Sequence, residues 1–117
     1  MNKLKLILLI IYSLLVLTAC NNQNTLIAKY QRTSMGDYFH LIFQDENGKD
    51  WDFGNGNNNL GDYNSLNDPN ADNSKYVNKK FEINWDNINA EYFCCEGALN
   101  LVEGEVPTII KLKLIDN

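Results

Sequence analysis

Two rhythms of apolar residues divide this chain. Residues 6–17 form one apolar run behind Lys3 and Lys5, broken only by Tyr12 and Ser13. From Thr25 onward, apolar and polar positions alternate with the period of two expected of half-buried strands. Residues 26–32 read as a first strand, with Met35-Gly36 as a turn or bulge. In 37–44, Phe39, Leu41 and Phe43 share one face while Tyr38, His40 and Ile42 share the other. Asp45-Glu46-Asn47-Gly48-Lys49 predicts a hairpin turn in which Asn-Gly supplies positive φ angles. The return strand 50–53 places Trp51 and Phe53 on a common face. A one-residue slip would turn the aromatic anchors of this hairpin to solvent, so its register is strongly specified.

Alternation stops across 54–78. That stretch holds nine asparagines between 55 and 78 and few bulky apolar residues, namely Leu60, Tyr63, Leu66 and Tyr76. Loops beyond about 12–15 residues in a compact domain are usually functional or disordered, which makes this segment the expected contact surface. Order returns in 79–85, with Phe81, Ile83 and Trp85 inward. Asp86-Asn87 then predicts a turn. Residues 90–94 and 98–102 read as short strands around Glu96-Gly97, and 102–105 as another turn. The last strand, 108–115, alternates Ile110, Leu112 and Leu114 with Ile109, Lys111 and Lys113; Pro107 places its start there or puts it at a sheet edge. No convincing helical periodicity follows residue 20. Six or seven short strands closed by Gly- and Asn-rich turns predict an all-β domain, a small barrel or sandwich of antiparallel strands.

The first rhythm carries an address. A basic start, an apolar core of this length and a small-residue exit form a secretory signal peptide. Spanning a membrane needs about 20 apolar residues, and the polar Asn21, Asn22, Gln23 and Asn24 that follow form no stop-transfer pattern. Leu17-Thr18-Ala19-Cys20 resembles a bacterial lipobox. That resemblance implies a leader of residues 1–19, cleavage before Cys20, and acylation of the Cys20 thiol. Two or more acyl chains anchor durably, at about 0.8 kcal/mol per buried CH₂. Residues 20–24 would then be the lipidated cysteine and a tether of at most about 14 Å, and 25–117 a single domain. Asn21 is not the inner-membrane retention aspartate of some enterobacterial lipoproteins. By that analogy the outer membrane is the expected location, and since no acidic run of the kind that resembles a surface-export signal follows Cys20, the expected side is the periplasmic one.

Charge narrows the partners. The chain carries 10 Lys and Arg against 15 Asp and Glu; loss of Lys3 and Lys5 with the leader leaves a balance of −7. Nucleic-acid binding needs clustered Lys and Arg, so no nucleic-acid partner is expected. The expected partners are the membrane, through the lipid on Cys20, and an envelope protein or glycan.

No residue set demands catalysis. His40 is the single histidine; as a base it would want a nucleophile and an orienting carboxylate, for which Asp50 or Asp52 across the hairpin qualifies. Cys94-Cys95 read as two reduced thiols, one inward and one outward, or as a vicinal disulfide, or as intermolecular partners. Glu91 and Glu96 flank the pair and oppose thiol activation. Asp68-Pro69-Asn70-Ala71-Asp72-Asn73-Ser74 spaces oxygen ligands like the start of an EF-hand loop. Asn73 stands where that loop needs glycine, and Lys79 where it needs the bidentate glutamate. No metal, cofactor or enzymatic activity is therefore expected. Tyr38, Tyr63 and Tyr76 are the candidate ligand contacts, a stacking platform if they gather beside the long loop.

The order "GDYFHLIFQDENGKDWDFG", a loop, "YVNKKFEINW" and a terminal "VPTIIKLKLI" resembles small OB-like barrels in Bacteroidota-type bacterial lipoproteins, over roughly residues 25–115. Asn78 stands where such relatives more often have glycine. The resemblance implies an OB-like barrel of five to seven strands. It carries no activity. The expected function is a lipid-anchored cell-envelope protein with a non-catalytic binding or structural domain, the alternative being an envelope inhibitor or immunity-type lipoprotein acting on a basic enzyme.

Overall fold

The computed structural model describes residues 2–19, 24–95 and 97–115, with side chains of the N-terminal helix described as far as Tyr12. That helix, α1, covers Lys3–Ala19. No helix among the described residues is long and apolar enough to cross a membrane. The rest is mostly β: β1 is Asn24–Met35, β2 Phe39–Asp45, β3 Asp50–Asp52, β4 Lys80–Tyr92 and β5 Val102–Leu114. They form one antiparallel sheet in the order β3-β2-β1-β4-β5. The all-β expectation for the domain holds, but the sheet is not closed into a barrel by strand pairing.

Open as its ladder is, the sheet is strongly rolled. Strands three apart in a flat sheet would stand roughly 14 Å from each other. Yet the Trp51 ring on β3 lies 5.2 Å from the Trp85 ring on β4. The roll starts in β1, which pairs with β4 through its first half and with β2 through its second, with a bulge between Tyr30 and Arg32. At that bend the Asn78 N–H donates to the Tyr30 carbonyl at 2.8 Å. Asn78 holds φ at +65°, the left-handed region that glycine enters most easily.

The concave face is filled by aromatic rings. Phe43 meets Tyr30, Phe53 and Phe81 edge-on, and all four are fully buried. Segment 54–78, expected to be a contact loop, instead caps this core. It forms two short 3-10 turns, Gly61–Asn67 and Ser74–Tyr76. Leu60 and Leu66 from it are buried as completely as the strand residues, and the Thr33 hydroxyl holds the Leu66 carbonyl at 2.6 Å. Its few bulky apolar residues suffice because Leu60 and Leu66 are buried in the core and Tyr63 and Tyr76 pack against it.

Where the barrel expectation fails, a staple takes over. The exit of β3 crosses to β5: Asn58 Nδ2 donates to the Phe53 carbonyl at 2.7 Å while its Oδ1 accepts the Ile109 N–H at 2.9 Å. The Asn59 N–H then donates to the Ile109 carbonyl. One side chain and one backbone amide thus stand in for a strand ladder. Gly54 and Gly56 permit the crossing. A Cβ on Gly54 would sit 2.0 Å from the Phe39 carbonyl oxygen, and one on Gly56 2.8 Å from that of Pro107.

Several boundaries differ from the expected ones. Asn24, read as tether, already pairs with Trp85 in the sheet. In the β2–β3 turn only Gly48 takes a positive φ, +79°, and Asn47 does not. The turn is held by Asp45 Oδ1, which accepts the N–H groups of Asn47 and Lys49. The predicted turns at Asp86-Asn87 and 102–105 are strand interior, and 98–102 is not a separate strand; β4 and β5 run as one long hairpin. Pro107 lies inside β5, which is a sheet edge. A register shift opposite Asn84 and Trp85 leaves Ile110 unpaired, so Ile109, and not Ile110, is buried with Leu112.

Candidate functional site

The β1–β2 turn and the β4–β5 loop come together at one end of the sheet. Gly36 and Tyr38 close the first turn by a backbone hydrogen bond. Between them Asp37 reaches across 60 residues of sequence, its Oδ2 accepting the Gly97 N–H at 2.7 Å. Gly97, at φ +78°, sits in a turn closed by the Ala98 N–H on the Cys95 carbonyl.

Beside this junction stands a small polar cluster. Tyr38 and His40 are two apart on one face, so their rings meet at 4.3 Å. His40 Nδ1 lies 2.6 Å from Asp52 Oδ2. Asp52 Oδ1 also accepts the N–H groups of Leu41 and Gly54, at 3.2 and 2.8 Å. The carboxylate is thereby fixed from three directions and in turn fixes the imidazole. Asp50, the other candidate partner of His40, instead receives the Gln44 amide. Side-chain exposure is 18% for His40 and 36% for Asp52, so the pair is reachable from solvent. His40 Nε2 lies beside Gly36, where even a Cβ would stand 3.8 Å from it. Among the described residues no hydroxyl or thiol hydrogen-bonds to that nitrogen. The arrangement can grip a ligand through a ring face, the imidazole Nε2 and a carboxylate; among the described residues no nucleophile is hydrogen-bonded to the pair.

The three tyrosines do not gather. Tyr63 and Tyr76 pack edge-on with each other and with Phe81, as half-buried parts of the core. Tyr38 alone belongs to the open cluster. Cys94 and Cys95 follow β4 in the loop, both exposed rather than one inward and one outward, and their sulfurs are joined as a disulfide. Cys20 lies outside the described residues. The stretch 68–74 makes Asx turns: Asp68 Oδ1 accepts the Asn70 N–H and Asp72 Oδ1 the Ser74 N–H. The Asp72 carboxyl is held below its ordinary value by the Ser74 hydroxyl and then the Ser74 N–H. Among the described residues no three His, Cys, Asp or Glu side chains converge to hold a metal.

No family model, curated protein or solved structure matches this chain. What can be said of its chemistry therefore rests on these residues. Asp37 and Gly97 were not singled out from sequence. Their only signals are the turn pairs Gly36-Asp37 and Glu96-Gly97, and nothing local links the two. A separate groove of about 370 Å³ runs over β1 and β2, lined by Lys29, Gln44, Glu46 and Lys80. Its lining mixes charges of both signs without a fixed cluster like that at His40.

Proposed function

We propose that this chain is a lipid-anchored cell-envelope protein whose β domain binds a partner and does no chemistry. The anchor half of the reading rests on Lys3, Lys5, the apolar run and Cys20 in sequence. The binding half rests on one observation, the Asp37–Gly97 hydrogen bond. It brings the β1–β2 turn and the β4–β5 loop together beside β2 and β3, and OB-type domains bind through those loops and that face. The strand order β3-β2-β1-β4-β5 is that of a five-stranded ring opened between β3 and β5, with Asn58 spanning the gap. An OB-like identity is therefore part of the proposal. The contact surface moves from segment 54–78, which is spent on the core, to the Tyr38–His40–Asp52 end.

Comparing wild type with Cys20→Ala by intact mass and cell fractionation tests the anchor. The expected wild-type product is residues 20–117 with acyl groups, in the membrane fraction, with both features lost in the variant. An unlipidated wild-type product would refute it. A second reading, an inhibitor of a basic envelope enzyme, is favoured by the charge of the β4–β5 hairpin, which carries no Lys, Arg or His between residues 86 and 110.

A further inference from the structure

Past the Asn24–Trp85 pair, β4 and β5 ladder only with each other among the described residues, with Asp37 holding Gly97 at the tip. Residues 86–92 and 102–108 form a two-stranded arm roughly 20 Å long. Cross-strand partners share a face, so the register sorts the arm into two sides. Ile88 is opposite Val106, Ala90 opposite Gly104 and Tyr92 opposite Val102 on one side, with Asp86 opposite Thr108 at its base. The other side carries Asn87, Asn89, Glu91, Glu103 and Glu105, every one exposed.

That polar side breaks a rule of sheet stability. Glu91 stands directly across from Glu103, a like-charge placement that destabilises an antiparallel pair. Glu105 follows two positions along the same face. Relief is limited to the Asn89 amide, which donates to Glu103 Oε1 at 3.0 Å. No cation lies on the arm to balance the three carboxylates. The apolar side is covered on β5 near its base, where Val106 and Thr108 are 3% exposed, and open elsewhere: Ile88 is 41% and Val102 40% exposed, and at the tip Leu101 is 52% and Leu99 94% exposed. A two-stranded ribbon is marginal on its own. This one spends stability on a carboxylate row on one side and leaves apolar side chains open on the other, the kind of local conflict that marks a functional surface.

We propose that the β4–β5 arm is the docking surface for a cationic protein, one presenting Arg or Lys side chains spaced along a strand or groove with apolar residues between them. Spaced charges fit because the carboxylates do not converge: among the described residues no metal-binding set exists. An anionic lipid surface is repelled by the same row. The proposal rests on the reading of the domain as a binding module and adds a surface apart from the Tyr38–His40–Asp52 end, with its partner class.

The test uses the full chain in neutral-detergent micelles, isotopically labelled, titrated with a synthetic peptide of alternating Arg and Leu; a Glu-Leu peptide is the control. Amide shifts are expected at 87–91 and 103–105, with affinity falling as salt rises. Glu91→Gln, Glu103→Gln and Glu105→Gln each weaken binding by roughly twofold to fivefold. Glu91→Lys abolishes binding while raising the unfolding midpoint, since it converts a repulsive pair into an attractive one; a lowered or unchanged midpoint overturns the like-charge argument. Absence of shifts, shifts that ignore the three Gln substitutions, or shifts at Leu99 and Leu101 that follow the detergent alone overturn the arm as a cation-docking surface. Shifts centred on Tyr38 and His40 also overturn it, yet leave the binding-domain reading standing. Failure of the anchor shows separately, in the Cys20→Ala comparison.

Discussion

Replacing Asn58 by alanine removes both halves of the staple between β3 and β5 at once. The Ile109 N–H loses its acceptor at 2.9 Å, and Ile109 is fully buried. An unmet buried donor costs about 1–3 kcal/mol. The Phe53 carbonyl loses the Asn58 amide but keeps the Gly56 N–H at 3.1 Å, so that loss is nearer to a net hydrogen bond, about 1 kcal/mol. The expected destabilisation is thus about 2–4 kcal/mol, a large share of the roughly 5–15 kcal/mol that holds a domain of this size. Urea unfolding followed through Trp51 and Trp85, whose rings touch at the rim of the core, measures it. Hydrogen exchange at the Ile109 amide locates it. Asn58→Asp separates the halves, because it keeps an acceptor for Ile109 and loses the donor to Phe53. Ile109 should then stay protected while overall stability falls. A loss below about 0.5 kcal/mol in Asn58→Ala, within the range of an ordinary surface change, or unchanged Ile109 exchange would refute the staple.

Other outcomes follow from the same geometry. Gly54→Ala forces a Cβ to 2.0 Å from the Phe39 carbonyl oxygen, so the variant should be unfolded or grossly destabilised by circular dichroism; a native spectrum with an unchanged melting temperature would contradict the close approach. Leu66→Ala should cost about 2–5 kcal/mol in urea, because segment 54–78 caps the core; a cost typical of an exposed loop would return that segment to the surface. Tyr63→Ala should act likewise, lowering stability without touching the Tyr38–His40–Asp52 end, which amide shifts can check. Asp45 should titrate below 3.8, its ordinary value, held there chiefly by the Trp51 indole N–H and then by the Lys49 N–H. A carboxyl depressed in the folded state contributes stability above 3.8 that is lost as pH falls through its folded value. The Trp51 Nε1–H resonance should therefore move with a midpoint below 3.8 and stay put in Asp45→Asn; a midpoint at or above 3.8 would contradict the assignment.

What the sequence determined by itself was local. Period-two alternation named the strands around Leu41, Phe43, Phe81 and Ile83, because a side chain's face in a strand depends only on its neighbours' spacing. Gly48 was legible as a turn. The tertiary structure decided what depended on distant partners. Whether 54–78 was loop or lid turned on where Leu60 and Leu66 could be buried, and only the rolled sheet supplies that place. The 86–105 stretch reads as short strands between turns at Asp86-Asn87 and 102–105 because Asn, Asp and Gly are turn residues; the long β4–β5 ladder overrides that preference. One unpaired residue, Ile110, reversed the expected face of Ile109, a shift that alternation cannot anticipate. The site shows the same division. His40 and Asp52 share one hairpin, and their pairing was foreseeable from its register. Asp37 and Gly97, 60 residues apart, meet only because the whole sheet curls, and that curl is set by packing across it rather than by any segment alone.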